Sequence, residues 1–243
     1  MIDEKLYSDK YTLHTLTEFG IKRKQNWQVH LFKGFFPPLS INAKILEVGS
    51  GRGEFAQECR NRDYNYTGIE PSDSLSELLI EKGYNIVKDR VPPINFPDNS
   101  FDLVSSMDLV EHFLSYNEVL GFFSECYRIL KQGGYITIIA PNYSTLKELF
   151  YEYEYQHSYP TTEARLIKLL EDSGFKIIKH KAFLISPGWK YFQYIDRLIA
   201  YILIPISRNM IFRAFLKSLT SQKFLFKIHK NLHDHVGVIA QKV

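Results

Sequence analysis

The sequence predicts an α/β chain built on a doubly wound, mostly parallel sheet. Three observations predict it. Short β-branched runs alternate with helix-like runs from residue 44 onward. Alternation of strands with helical stretches of about 10–15 residues is the pattern of βαβ units. A glycine-rich loop joins the first strand to the first helix of the series, and turn residues separate most later units. The chain has 243 residues. At about 150 residues per domain, that suits one domain with an elaboration.

The elements follow in order. Residues 1–40 read as a helical covering carrying Tyr11, Trp27, Leu31, Phe32, Phe35 and Phe36. Lys44 to Val48 is the first strand, Glu54 to Asn61 a helix, and Asn65 to Ile69 the second strand. Ser74 and Glu77 form a capping box that opens a helix stopped by Gly83. Asn85 to Val87 is a third strand. Pro97 to Ser100 is turn chemistry before a fourth, Phe101 to Ser105. A helix from about Tyr116 to Leu130 presents Val119, Leu120, Phe123, Tyr127 and Leu130 on one face, and Gly133-Gly134 ends it. Tyr135 to Ala140 is the fifth strand. Leu166 to Leu170 mark a helix stopped by Gly174, Phe175 to Ile178 begins the sixth strand, and Val236 to Gln241 is the last. The expected organisation is a single domain, 1–243, with its core in 41–183 and 236–243 and a helical insertion at 184–235.

Composition narrows the function classes. Apolar residues make up 45% and charged residues 23%, which excludes a wholly disordered chain. The longest apolar run, 198–206, contains a proline and falls well short of the roughly 20 residues of a membrane span. The polar start, Met1-Ile2-Asp3-Glu4-Lys5, predicts no secretory signal. Cys59 and Cys126 are too few for a disulfide framework or a zinc site and fall inside helices, so a reducing cytoplasm is expected. No His/Cys/Asp group shows metal-ligand spacing, so no metal is expected. The net charge of +3 conceals an acidic body over 41–186, at −6, and a basic tail over 187–243, at +7. An acidic body argues against a nucleic-acid track.

Glu47-Val48-Gly49-Ser50-Gly51-Arg52-Gly53 lies between a strand and a helix. Glycines there let the backbone approach a ligand with no Cβ in the way. A dinucleotide loop, G-x-G-x-x-G, would place its third glycine at position 54, which is Glu54; the third glycine is Gly53. A carboxylate in that first helical turn repels a pyrophosphate, whereas a ligand without phosphate is indifferent to it. The second strand ends in Glu70, placed to accept both hydroxyls of an adenosine ribose. Asp89, after the third strand, can accept from an adenine amino group.

These segments resemble the class I S-adenosylmethionine-dependent methyltransferases. Ile45 to Gly53 looks like their first motif and Gly68-Ile69-Glu70-Pro71-Ser72 like their second. Phe96 to Val104 looks like the approach to their fourth strand, Arg128 to Tyr135 like the stretch before the fifth, and Leu169 to Phe175 like the helix end before the sixth. Met107 through Glu111-His112 is similar to the small-molecule branch that includes quinone-biosynthesis O-methyltransferases. The resemblance implies a Rossmann-like seven-stranded sheet with the final strand antiparallel. It implies S-adenosyl-L-methionine as cofactor, with its methionine part over Gly49, Gly51 and Gly53, ribose on Glu70, adenine near Asp89 and Met107 alongside. Glu47 would orient the methionine amino group through water. Arg90-Val91-Pro92-Pro93 departs from the small and acidic residues usual after Asp89, which bears on the adenine contacts.

Methyl transfer needs nucleophile, carbon and sulfur held in line, and positioning alone can lower the barrier by roughly 7–11 kcal/mol. If the acceptor is a hydroxyl, a base helps, and His112 is the candidate, with packing at the next helix start as the alternative. His157, in the loop after the fifth strand, is a substrate contact or a polar loop residue. Asp108 could pair with substrate or stay solvated. No Asn-Pro-Pro-Tyr follows the fourth strand, which disfavours amino methylation of DNA or glutamine. The expected partner is a small, apolar or lipid-linked acceptor, with no nucleic acid. The stretch 190–230 is basic and amphipathic, consistent with a pocket cap, a dimer interface or a peripheral membrane contact. A nicotinamide-dependent dehydrogenase and a non-catalytic binding protein of the same fold are the rivals; Gly53 and the intact loop with Glu70 speak against them.

Overall fold

The computed structural model describes residues 18–148, 150–151, 154–184 and 234–243. The predicted insertion at 184–235, the amphipathic stretch within it, and Tyr11 lie outside the described residues, apart from the strand ends at 184 and 234–235.

After helix α1 (Glu18–Gly34), the chain runs β1 (Lys44–Val48), α2 (Glu54–Arg60), β2 (Asn65–Ile69), α3 (Asp73–Glu81), β3 (Ile86–Val87) and β4 (Phe101–Met107). A 3₁₀ turn, Val110–His112, leads to α4 (Tyr116–Ile129), β5 (Leu130–Pro141) and a short helical turn α5 (Tyr143–Leu146). Then come α6 (Glu163–Asp172), β6 (Phe175–Leu184) and β7 (Asp234–Lys242). The sheet order is β3-β2-β1-β4-β5-β7-β6. Pairing is parallel from β3 through β5, and β7 runs antiparallel to both its neighbours. The predicted fold class is the observed one.

Alternation along the strands explains why both faces carry helices. On one face Leu46, Val48, Val104, Ile136 and Ile138 pack with Phe122, Phe123 and Cys126 of α4 and Leu166 and Leu170 of α6. On the other, Ile45, Leu103 and Ile139 pack with Leu31 and Phe35 of α1 and Phe55 and Cys59 of α2. Trp27 and Phe32 lie against this second core, and Phe32 stacks on Phe36 and Phe55 with centroids 4.6 and 5.1 Å away. Both cysteines are buried and free.

Three local expectations are corrected. Helix α3 is capped by Ser72, not Ser74: the Ser72 Oγ accepts from the Leu75 amide at 3.4 Å, and the helix begins at Asp73. The Ser72 amide is itself held by Glu70, which fixes the extended backbone a cap needs. Helix α4 ends at Ile129, and Gly133-Gly134 lie within β5. Leu130 has turned extended (φ −71°, ψ 141°) and bridges Phe101, so the glycines accommodate the register shift between Phe101 and Leu103. Strands β4 and β7 run further than their apolar cores suggest, because backbone pairing continues through the polar residues Ser106, His235 and Lys242, which are themselves buried.

Gly68 of β2 faces a site that tolerates no side chain. A Cβ there would stand 2.3 Å from Ser50 Oγ, 2.6 Å from Tyr66 Oη and 2.8 Å from Ile86 Cδ1. Gly68→Ala is expected to destabilise the fold by about 1–3 kcal/mol, lowering the melting temperature by about 2–4 °C for each kcal/mol in a chain of this size. An unchanged melting curve would show that Ser50 and Tyr66 yield freely.

Candidate functional site

The carboxyl ends of β1, β2 and β4 stop level. Val48 is in register with Ile69 of β2 and with Ser106 of β4. Sheet order reverses at β1, where α/β sheets open a crevice. The loop after β1 is tied to β2: the Gly49 and Ser50 amides donate to the Ile69 carbonyl at 2.9 and 3.2 Å. Gly53, with φ +85°, starts α2, and a Cβ on it would lie 2.5 Å from Leu79. Gly51, with φ +52°, has open space where its Cβ would be. Of the three glycines, then, Gly53 serves packing and Gly51 leaves bare backbone facing outward.

Glu70 follows β2 and is buried. One oxygen accepts the Gly51 amide at 2.8 Å and the other the Ser72 amide at 3.0 Å. A carboxylate has about four lone-pair sites, so each oxygen retains one for a ligand hydroxyl. Burial raises the Glu70 pKa against the pull of those two amides. Glu47, beneath the loop, is also buried and accepts the Tyr66 hydroxyl at 2.5 Å, while Tyr66 lies 3.0 Å from Ser50 Oγ. Burial raises its pKa well above the ordinary range, although Tyr66 works the other way.

Asp89 is engaged in its own loop. Its oxygens accept the Arg90 amide and the Asn95 side-chain amide, each at 2.8 Å. Met107 ends β4 and meets α1, whose Gln28 amide donates to the sulfur at 3.7 Å. Lys24 of α1 pairs with Glu54 at 3.8 Å. The first covering therefore reaches the rim of the crevice. Asp108, at φ +53°, pairs with His235 Nε2 at 3.1 Å. His235 comes from β7, and Trp27 packs edge-on against it at 6.4 Å. Solvation alone does not describe Asp108.

His112 ends the 3₁₀ turn and sits beside Leu109, which approaches Gly49. Burial, reinforced by neighbouring His157, lowers its pKa to about 4, so the imidazole is neutral at physiological pH. His157 is not a solvated loop residue: its side chain is only 11% exposed. It is brought across by main-chain bonds, since the Ser158 and Tyr159 amides both donate to the Glu111 carbonyl, at 2.8 and 3.0 Å. The two imidazole rings stand 5.1 Å apart. Glu111, His112 and His157 thus form a group whose ligand atoms all lie within 4.8 Å of one another. No sequence spacing announces it, because residues from two different strand ends are joined by backbone hydrogen bonds. The sequence shows no metal-ligand spacing, and the group assembles only in three dimensions.

A methyltransferase-domain family matches residues 21–180. Among curated proteins, the phosphoethanolamine N-methyltransferase of Plasmodium falciparum is 32% identical over 155 residues, covering 59% of this chain and 57% of its own length. The ubiquinone biosynthesis O-methyltransferase of a Bradyrhizobium strain is 29% identical over 104 residues, covering 41% of this chain and 40% of its own length. The chain thus spans about half the length of these relatives. Among solved structures, phosphoethanolamine N-methyltransferase 2 of Haemonchus contortus, in complex with S-adenosyl-L-methionine, has a TM-score of 0.66 at 20% identity, covering all of this chain and 60% of that one. A SAM-dependent methyltransferase of Archaeoglobus fulgidus has a TM-score of 0.62 at 21% identity, covering 98% of each chain. These structural likenesses show a shared fold.

Proposed function

The chain belongs to this methyltransferase-domain family, and we propose that it transfers a methyl group from S-adenosyl-L-methionine to the oxygen of a small, apolar or lipid-linked acceptor. The observation that carries this reading is the pairing of bare backbone at Gly51 with a buried Glu70 that keeps free lone pairs. That combination fits a nucleoside with a free diol and no phosphate. The cofactor supplies a methyl on an electrophilic sulfonium.

The chain's own residues would do the rest. Gly49 and Gly51 leave room for the methionine part, and Glu70 accepts the ribose hydroxyls. Glu47, with Tyr66 on one oxygen, orients the amino group. Asp89 is bound to its loop through both oxygens, so adenine recognition falls to the lone pairs left over and to neighbouring main chain. Met107 and Gln28 close the β4 side. On the acceptor side, neutral His112 can accept a hydroxyl proton as the new bond to carbon forms.

The relatives' names span oxygen, nitrogen and carbon acceptors: ubiquinone biosynthesis, phosphoethanolamine and, in Neurospora crassa, a sterol 24-C-methyltransferase. Oxygen is favoured here by the similarity of the segment from Met107 to His112 to the quinone branch. The basic amphipathic stretch 190–230 would bring the chain to an anionic membrane carrying a lipid-linked acceptor. No helix among the described residues is long and apolar enough to cross a membrane.

Four measurements follow from this reading. Glu70→Ala should weaken binding of the demethylated cofactor at least tenfold in calorimetry, about 1.4 kcal/mol. In the native chain, protons compete with the ribose hydroxyls for Glu70. Because burial raises that carboxyl's pKa, affinity should fall on acidification earlier than an ordinary carboxylate, with its pKa of about 4.3, would dictate. Equal affinity in a folded Glu70→Ala variant would remove the ribose assignment. With radiolabelled methyl donor and hydroxylated quinone, phosphoethanolamine and sterol acceptors, His112→Ala should lower turnover about 100-fold while cofactor affinity holds; an unchanged rate would make His112 structural. Flotation with vesicles should require anionic lipid and fade as salt rises; flotation with neutral vesicles alone would discard the electrostatic contact.

A further inference from the structure

His235 is buried at the start of β7, yet only one of its ring nitrogens is used. Nε2 lies 3.1 Å from Asp108 Oδ1, and an ionised carboxylate only accepts, so Nε2 carries the proton. Nδ1 is buried with no hydrogen-bond partner. A buried polar atom left so costs stability, and an apolar side chain of similar size would avoid that cost. The residue is fixed from several sides. Main-chain pairing sets its backbone between Pro141 of β5 and Phe183 of β6, and Trp27 of α1 packs edge-on against the ring. Packing therefore does not ask for a histidine here; the bond to Asp108 does.

Asp108 is the first residue beyond β4, next to Met107 at the crevice rim. Its backbone is left-handed, at φ +53°, a region few residues other than glycine enter and aspartate tolerates. Its amide donates to the Ile139 carbonyl at 2.9 Å, which ties that conformation to β5. Backbone held in this region clusters at functional sites. The Asp108 side chain is 46% exposed, against 6% for His235. Among the described residues its second carboxylate oxygen has no hydrogen-bond partner. One oxygen thus faces into the protein and the other the open edge of the sheet. Burial would raise this carboxyl's pKa, but neighbouring His235, Lys24 and His112 outweigh it and hold it below the usual carboxylate range.

We propose that His235 is a positioning residue for methyl transfer: its bond to one Asp108 oxygen turns the other toward the crevice, where it accepts a hydrogen bond from a hydroxyl or ammonium group of the acceptor. This rests on the methyl-transfer reading. His235 touches neither cofactor nor acceptor and acts through Asp108 alone. A carboxylate held in one orientation fixes which acceptor atom stands in line with the sulfonium. It also rejects an acceptor without the donor, because the oxygen would be desolvated and left unpaired. The last strand thereby serves a site whose other parts leave the sheet from β1, β2 and β4.

The test uses the full chain and two ligands: the demethylated cofactor, and an analogue carrying a primary amine in place of the transferred methyl, which presents a donor to the same space. In calorimetry the native chain should prefer the amine analogue. His235→Leu should lower that preference about tenfold while affinity for the demethylated cofactor holds. Its melting temperature should stay level or rise, because the unpaired nitrogen is gone. His235→Gln, whose side-chain amide can replace the Nε2 donor, should restore most of the preference. Asp108→Asn keeps a residue that tolerates the left-handed backbone and should lose the preference; adding His235→Leu to it should cost nothing further. With whichever of the quinone, phosphoethanolamine and sterol acceptors is turned over, His235→Leu should act mainly on the acceptor's KM. A preference undiminished in folded His235→Leu, or a double variant worse than Asp108→Asn alone, would overturn the proposal. If His235→Leu does not fold, His235→Phe carries the comparison; if neither folds, the histidine is structural and the proposal falls. A native chain that binds neither ligand removes the methyl-transfer reading. Binding of both without preference removes only the role given to His235 and Asp108.

Discussion

The central constraint is the two-sided parallel pairing of β1. Val48 is level with Ile69 on one side and Ser106 on the other, so three chain segments leave the sheet at one edge and at one height. The loop that follows has no freedom to rise away, because two of its amides are spent on the Ile69 carbonyl. Everything that reads as function is a consequence of that level edge: Gly51, Glu70, Met107 and the 3₁₀ turn holding Glu111 and His112. The apolar layers on both faces keep the edge rigid, with Ile45 and Leu46 fully buried on opposite sides of the same strand.

The edge carries three buried glutamates, and the fold treats each differently. Glu47 is answered by a tyrosine hydroxyl, Glu70 by two main-chain amides, and Glu111 by no donor of ordinary geometry. Burial raises the pKa of all three. Hydrogen bonds to a charged acceptor are worth roughly 1.5–3 kcal/mol each, so the three differ in how strongly they hold their charge. Glu70 is the best supported, and it retains lone pairs for a diol. Glu111 is the least supported, and it is the one that histidines surround.

What was legible in the sequence was local. Lys44 to Val48, the glycines after it and Glu70 declare themselves because strand, turn and strand end are set by neighbours a few residues apart. The sequence pattern favours Ser74 over Ser72 because both can cap, and the choice turns on Glu70 holding the Ser72 amide, a side-chain contact no pattern records. Gly133-Gly134 resembled a helix stop because glycine serves bulges and helix ends alike. His157 was opaque for a different reason. Its approach to Glu111 runs through two backbone bonds between distant segments, and backbone bonds have no residue signature. Asp108 is similar, since its partner His235 lies 127 positions away.

The sheet's last pairing has a consequence for biosynthesis. Among the described residues β6 pairs with no strand but β7, and β7 is what joins it to β5. On the ribosome, β6 is therefore made well before the strand that can receive it, and the segment 185–233 must be translated in between. At about 5–20 residues per second, the nascent chain carries an unmatched strand, with β5's outer edge also open, for several seconds. That interval is when a chaperone would find this polypeptide.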